Sequence, residues 1–582
     1  MIGAELVPGG VRFRVWAPGQ ERVAVVIDDG EFALAAEERG YFSGLVEGAG
    51  AGTRYKFRLT DGDYPDPASR FQPDGPHGAS EVIDPAFAWR PWRGVDPKNA
   101  VLYELHVGTF TKEGTYAAAM RELPRLAEIG ITVIELLPVS EFPGAFGWGY
   151  DGVAPYAPTR LYGRPEDLRR FVDEAHAHGL GVILDVVYNH VGPDGSYLKK
   201  FTPRYFSKKY ENEWGEPMNF DGEDAHGVRE FFAANAAYWI GEFGFDGLRL
   251  DATQSLFDES ETHILRDIRE RVEAASGGRA IFLVGENEPQ NTRLLREHGL
   301  DALWNDDWHH TARVAATGFT EGYYTDYGGS ARELAAMANF GFLYQGQWYR
   351  WQKKRRGTPS RDIARSRLVC YLQNHDQIAN SATGERLHEL TSRGKVKALT
   401  ALLLLQPQTP MLFQGQEFGA RSPFLYFADH NAELAKKVRN GRREFLEQFA
   451  SIKGRELAVP ESRDTFERCK LDHDERDEEL ETLHRELLAL RREQPFDAEM
   501  HASALDEHCL ALRWFAGGER DRLLIVNLGD DLHFDPVGDP LLASPEGFAK
   551  WEVLWASEKS NKFEEWRIAA ESAILLRPLS GD

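Results

Sequence analysis

Phe245-Asp246-Gly247-Leu248-Arg249-Leu250-Asp251-Ala252 sets Arg249 and Asp251 two positions apart, between leucines. Side chains alternate along a strand, so these two fall on the same face. Charged residues seldom lie inside apolar strands unless they are paired. An arginine beside a carboxylate lowers its pKa and keeps it ionised. An ionised carboxylate facing a cavity is what covalent catalysis by a nucleophile requires. A structural ion pair buried in a sheet would give the same local pattern.

From about Asn99, short β-rich runs alternate with amphipathic stretches. Strands are expected at 101–110, 131–138, 181–188, 245–252, 281–287, 302–307, 368–376 and 410–417. Helices are expected between most of them, at 116–129, 165–178, 226–243, 263–275 and 386–405. Alternating β and α segments imply a parallel sheet. Eight such strands close a (β/α)₈ TIM barrel, so the fold class is α/β.

Residues 1–95 read differently: 11–16 alternates like a half-buried strand, Ala17-Pro18-Gly19-Gln20 reads as a turn, and 23–27 and 55–59 are further strands. A small β-sandwich is the simplest account of that segment. The barrel domain is taken as 96–495, ending in a charged helical extension over 432–492. Strands return at 509–514, 523–527, 551–555 and 573–578, so 496–582 is expected to be a second β-sandwich domain.

The chain has 582 residues and a formal charge of -24, which repels nucleic acid and anionic membranes and disfavours both as partners. Three cysteines, Cys370, Cys469 and Cys509, form no CxxC spacing, which speaks against a disulfide framework or a zinc site. The start, Met1-Ile2-Gly3-Ala4-Glu5, lacks a basic region followed by an apolar core, and no apolar run is long enough to span a bilayer. A cytoplasmic location is expected.

Active sites of such barrels gather at the C-terminal strand ends. Polar residues occur there as Asp185 with Asn189 and His190, Arg249 with Asp251, Glu286, and His375 with Asp376. Glu286 ends the run Ile281-Phe282-Leu283-Val284-Gly285. Poor solvation and a second carboxylate nearby can keep such a carboxyl protonated, as a general acid needs. Glu288, two residues on, competes for that role. Asp376 is either a third site carboxylate or the N-cap of a following helix. His190 and His375 read equally well as satisfied core histidines.

Asp185-Val186-Val187-Tyr188-Asn189-His190, Gly247 to Ala252, Gly285-Glu286 and Asn374-His375-Asp376 together resemble the four successive motifs of the α-amylase superfamily, glycoside hydrolase family 13. The resemblance implies a retaining double displacement, with Asp251 attacking the anomeric carbon, Glu286 protonating the leaving oxygen and Asp376 holding the −1 sugar. It assigns −1 sugar contacts to His190, His375 and Arg249, a supporting role to Asp185, and an aromatic platform to Tyr150. Nucleophile and acid carboxyls in a retaining site sit ~5–5.5 Å apart. Asn189 matches a calcium-ligand position of many amylases, but no cluster of oxygen ligands follows the third strand, so neither calcium nor any other metal or cofactor is expected.

Segments 147–153, 304–310, 321–324, 374–378 and 424–430 narrow the resemblance within that superfamily. It implies hydrolysis of the α-1,4 bond beside the terminal trehalose of a maltooligosyl trehalose, giving trehalose and a maltooligosaccharide. The polar strip Asp306, Asp307, His309 and His310, read as a strand end, is expected to meet the leaving trehalose or the −1 sugar. Two departures touch fine specificity: Glu286-Asn287-Glu288-Pro289-Gln290 where relatives carry Asp and Arg, and Gln416 in place of a glutamate. An α-1,6-acting branching or debranching enzyme is the alternative; a non-catalytic carbohydrate-binding barrel is disfavoured because all three carboxylates remain.

Overall fold

A computed structural model describes residues 2–533, 538–545, 547–558 and 566–580. Eight parallel strands, Leu102–Leu105, Val133–Leu136, Gly181–Val186, Gly247–Leu250, Phe282–Gly285, Ala302–Trp304, Leu368–Tyr371 and Thr409–Phe413, form a closed barrel. The first strand pairs with the last through Leu102 and Met411, so no edge remains open. The parallel register follows a period of two around the ring. Leu102, Val133, Ile183, Phe282, Val284, Trp304, Val369, Tyr371 and Met411 pack into one inner cluster. The inward positions above that layer are charged: Glu104, Glu135, Asp185 and Arg249, with Glu104 opposite Glu135 and Asp185 opposite Arg249. An apolar plug therefore carries a charged floor, and the site rests on that floor.

Gly247 is required where two strands approach closely, because a Cβ there would lie 1.9 Å from the Phe282 carbonyl oxygen. The outer helices pack apolar stripes on the barrel wall. Ile264, Leu265, Ile268 and Val272 are the buried positions of helix Ile264–Ala275 and fall on one face at helical spacing.

Several expected strands stop short, and side chains of the next turn explain where. The run 101–110 is strand only over Leu102–Leu105; Val107–Phe110 is a helical turn, with the His106 N–H donated to Gln414 Oε1. Asn305 accepts from the Trp308 N–H and starts helix Asp306–Thr317, so Asp307, His309 and His310 are helical and not at a strand end. Asn374 caps helix His375–Ala379 by accepting from the Gln377 N–H; Asp376 is its second residue and not its cap. The stretch 386–405 is two helices, Leu387–Leu390 and Arg393–Leu405, divided where Ser392 caps the second.

At the N-terminus two antiparallel sheets stack, one holding Gly10–Trp16 and Tyr41–Glu47, the other Ala24–Ile27 and Arg54–Leu59. Trp16 docks this sandwich on the barrel. Its ring leaves no room for a Cβ at Gly227, which would come within 2.1 Å, and it meets Tyr205 edge-on at 5.0 Å. Helices Ala432–Leu446, Arg463–Arg468 and Glu478–Glu493 lead into a C-terminal five-stranded sheet, Glu499–Ala504, Cys509–Phe515, Arg522–Asn527, Ser572–Ser580 and Phe548–Ala556 in spatial order, accompanied by a two-stranded one. No helix among the described residues is long and apolar enough to cross a membrane.

Candidate active site

Arg249 organises the barrel mouth. Its side chain is fully buried; Nη1 donates to Asp185 Oδ2 at 2.6 Å and to Asp251 Oδ1 at 2.9 Å, and Nη2 donates to Glu286 Oε2 at 2.7 Å. The guanidinium also lies over the Trp304 ring, 4.4 Å from its centroid. Three carboxylates on one rigid, permanently charged fork are fixed in both distance and plane.

Each partner has a second support. The Tyr150 hydroxyl donates to Asp185 Oδ2 at 2.6 Å. Gly149, at φ +100° with its Cβ position 2.2 Å from the Pro138 oxygen, is the glycine that lets Tyr150 reach inward. Asn189 Nδ2 donates to Asp251 Oδ2 at 2.9 Å, and His190 Nδ1 lies 2.6 Å from Asn189 Oδ1. The Ala252 N–H donates to Glu286 Oε2 at 3.0 Å. Ala252 makes that contact from a left-handed conformation, φ 40°, which costs an L-residue about 1–2 kcal/mol and is held here by the surrounding bonds.

Asp376 stands apart from Arg249. Its side chain is 43% exposed, against 13% for Asp251 and 20% for Glu286. His375, beside it, has Nδ1 2.6 Å from Glu104 Oε1, and its ring stacks on Tyr150 at 5.2 Å. A cleft of about 540 Å³ opens here, lined by Glu286, Glu288, Trp304, Asp306, His310 and Asp376, with Trp214 and Trp351 at its exposed rim. A larger hollow of about 840 Å³ adjoins it across Gln254 and Pro289, but its walls carry none of the three carboxylates.

Burial raises Glu286 to about 7, helped by the charges of Asp251 and Asp376 and opposed by Arg249 and the Ala252 N–H. Burial also raises Asp251, although Arg249 and Asn189 pull the other way. The expectation that Arg249 holds Asp251 below its ordinary value is therefore corrected, since desolvation in the barrel mouth outweighs the guanidinium. Burial would lower His375, but Glu104 and then Asp376 raise it to about 9, so the ring is cationic at neutral pH.

The structure thus brings Asp251, Glu286, Asp376, Arg249, Asp185, Tyr150, His190 and His375 together. Asp307 and His309 are not among them. Asp307 is wholly buried behind the cleft wall, where Oδ1 accepts from the Tyr327 hydroxyl and Arg356 Nε, and Oδ2 from the Tyr344 N–H. His309 is buried against Tyr371, stacked at 5.3 Å, and burial lowers it to about 3. The helix begun by Asn305 turns both away, while Asp306 and His310 of the same strip keep the cleft face. Glu288 is held by Arg356 at the cleft edge and makes no bond to Arg249. Sequence reasoning passed over Glu104 and Glu135, whose signal was the same as that of Arg249: a charge at an inward position of an apolar strand. Among the described residues no group of three or more His, Cys, Asp or Glu is placed to hold a metal ion.

Comparison with known proteins gives matches along the chain: to the carbohydrate-binding module 48 (isoamylase N-terminal domain) over residues 1–85, to the α-amylase catalytic domain over 96–214, and to DUF3459, a domain of unknown function, over 497–574. The malto-oligosyltrehalose trehalohydrolase of Deinococcus radiodurans is 42% identical over 545 residues, covering 91% of this chain and 90% of the relative. The chain belongs to the malto-oligosyltrehalose trehalohydrolase family. A second member, from Saccharolobus solfataricus, is 40% identical over 84% of this chain and 87% of its own length. The fold is also matched by a solved structure, a putative α-amylase from Salmonella typhimurium, with a TM-score of 0.90, 36% identity and 99% coverage of both chains.

Proposed function

We propose that the chain is a retaining glycoside hydrolase that cleaves the α-1,4-glucosidic bond next to the terminal trehalose of a maltooligosyl trehalose. The observation that carries the chemistry is the single Arg249 guanidinium bonded to both Asp251 and Glu286, with Asp376 lining the same cleft as Glu286. One planar fork holding two carboxylates supports the short spacing of a double displacement more than the wider gap that an inverting enzyme leaves for water.

Asp251 attacks the anomeric carbon of the −1 glucose as the bond to the glycosidic oxygen breaks, and Glu286 gives that oxygen its proton. Trehalose leaves. Glu286, now ionised, takes a proton from water as the water oxygen displaces Asp251, which frees the maltooligosaccharide. The asymmetry of the two carboxyls fits these roles: Ala252 N–H and Arg249 share one oxygen of Glu286, while burial and two neighbouring charges favour its protonated form. Asp376 accepts −1 hydroxyl hydrogen bonds that tighten as the ring flattens, and cationic His375 and neutral, burial-lowered His190 supply further polar contacts. Trp214 and Trp351 offer ring faces to sugar C–H surfaces at the rim. The substrates and products are maltooligosyl trehalose, trehalose and maltooligosaccharides.

The test is product analysis. Purified protein incubated with maltopentaosyl trehalose releases free trehalose, and Asp251→Ala does not. Amylopectin serves as the second substrate: chain-length change there without trehalose release from the first would assign the chain to α-1,6 chemistry instead.

A further inference from the structure

Asp376 has the least direct support of the three carboxylates. Among the described residues, the only basic group within 4.0 Å of its carboxylate is His375 Nε2, at 3.9 Å, and no side-chain hydrogen bond holds it. Its position is therefore set by the backbone of the five-residue helix His375–Ala379 that carries it. So short a helix keeps its geometry only if both ends are tied. The N-terminal end is tied by Asn374 and by Glu104, which accepts from the His375 N–H at 3.0 Å.

The other end is tied from far along the chain. Arg442 Nη2 donates to the Ala379 carbonyl oxygen at 2.6 Å, and Nη1 donates to Asn380 Oδ1 at 2.8 Å. The guanidinium is wedged between Tyr426 and Phe445, 5.5 and 5.7 Å from their ring centroids. A fixed cation on the last carbonyl of a helix satisfies an orphan acceptor and complements the helix dipole. Arg442 belongs to helix Ala432–Leu446, in the charged extension after the last barrel strand, whose only buried residues are Ala435 and Leu446. It does not line the active-site cleft; it lines a small cavity of about 190 Å³ behind it. Its hydrogen bonds act on the reaction through the helix they hold.

We infer that Arg442 is a positioning residue, by which the helical extension fixes Asp376 against the −1 sugar; the inference rests on the role given to Asp376 above. The extension is thus part of the catalytic apparatus without touching substrate. Its charge also reaches Asp376 through space, although the two side chains make no contact.

Arg442→Met and Arg442→Lys are compared with Asp376→Asn in the full-length protein, reading kcat and KM for trehalose release together with the thermal unfolding midpoint. Misplacing a group that acts in the transition state lowers kcat with little change in KM. Arg442→Met is expected to lose about 10- to 100-fold in kcat at near-normal KM. Arg442→Lys recovers only part of this, because one ammonium cannot reproduce a planar fork on two acceptors. Wild-type kcat in Arg442→Met beside an inactive Asp376→Asn overturns the inference. So does a loss of kcat in step with the unfolding midpoint that lysine restores completely. Full activity in Asp376→Asn overturns the reading of Asp376 itself. If Arg442→Met does not fold, the lysine variant decides alone: wild-type kcat refutes the inference, and a several-fold loss at unchanged KM and midpoint supports it.

Discussion

Glu286→Gln separates the proton transfers of Glu286 from the hydrogen bonds it accepts. Both hydrogen bonds that the carboxylate receives, from Arg249 and from the Ala252 N–H, fall on the same oxygen, Oε2. A glutamine carbonyl placed there keeps both, so the Arg249 network survives while proton transfer, to the leaving oxygen and later from water, is lost. Positioned proton transfer contributes about 10²–10⁴ in rate. At 1.36 kcal/mol per decade, the expected loss is about 3–5 kcal/mol of transition-state stabilisation. In the wild type, the acid at about 7 must be protonated, so kcat/KM for trehalose release falls as pH rises through about 7, tenfold per unit beyond it. That basic limb is absent from Glu286→Gln. A maltooligosyl fluoride provides the control, because fluoride leaves without protonation: kcat/KM, which reports the first step, should largely return with it, while kcat stays limited by hydrolysis of the glycosyl-enzyme. Stability gives a second reading with a definite sign. A carboxyl raised from 4.5 to about 7 stays protonated in the folded state where the unfolded chain has ionised, so stability declines across that window, by on the order of 3 kcal/mol in total. Glu286→Gln should therefore unfold at a higher temperature than wild type at pH 8, with the gap closing below pH 4.5. Equal losses of kcat/KM on the fluoride and on maltopentaosyl trehalose, or a basic limb that persists in the variant, would refute Glu286 as the acid and move attention to Glu288.

Asp251→Ala is expected to lose about 10⁴-fold or more in kcat, and mass spectrometry with the fluoride should trap a glycosyl-enzyme in Glu286→Gln but none in Asp251→Ala. Glu135 is buried with both carboxylate oxygens unpartnered, and burial raises its pKa well above the ordinary value. Glu135→Gln should therefore raise the unfolding midpoint more at pH 8 than at pH 4, because only the acid loses stability as pH rises past the unfolded-state value. Asp307→Ala strips Arg356 and Tyr327 of a buried partner and should cost about 3–5 kcal/mol in chemical denaturation, an effect that appears in stability before bond selectivity. Tyr150→Phe removes one hydrogen bond to the buried Asp185 carboxylate, expected to cost about 1.5–3 kcal/mol in kcat/KM or stability.

What could be read from sequence was whatever depends on strand periodicity. Arg249 and Asp251 share a face because a strand repeats every two residues, and the same parity leads to Asp185 and Glu286 on the neighbouring strands. Boundaries were read less well, because single side chains set them: Asn305 and Asn374 each turn a strand end into a helix, and neither differs in type from a loop asparagine until the N–H it accepts from is known. Asp307 shows the consequence. The strip after Trp304 reads as a strand end, but the cap starts a helix there, which turns Asp307 into the wall and leaves Asp306 on the cleft face. The protonation states lay further out of reach. Arg249 next to Asp251 suggests a lowered pKa, but the depth of the barrel mouth reverses the sign, and depth is a property of the closed ring and not of neighbours in sequence. The same holds for Arg442, which lies 66 positions beyond Asp376 in the numbering and whose function exists only because the extension folds back on a five-residue helix. Local pattern therefore locates the reacting groups, while the features that tune and hold them arise from contacts that the fold creates between distant segments.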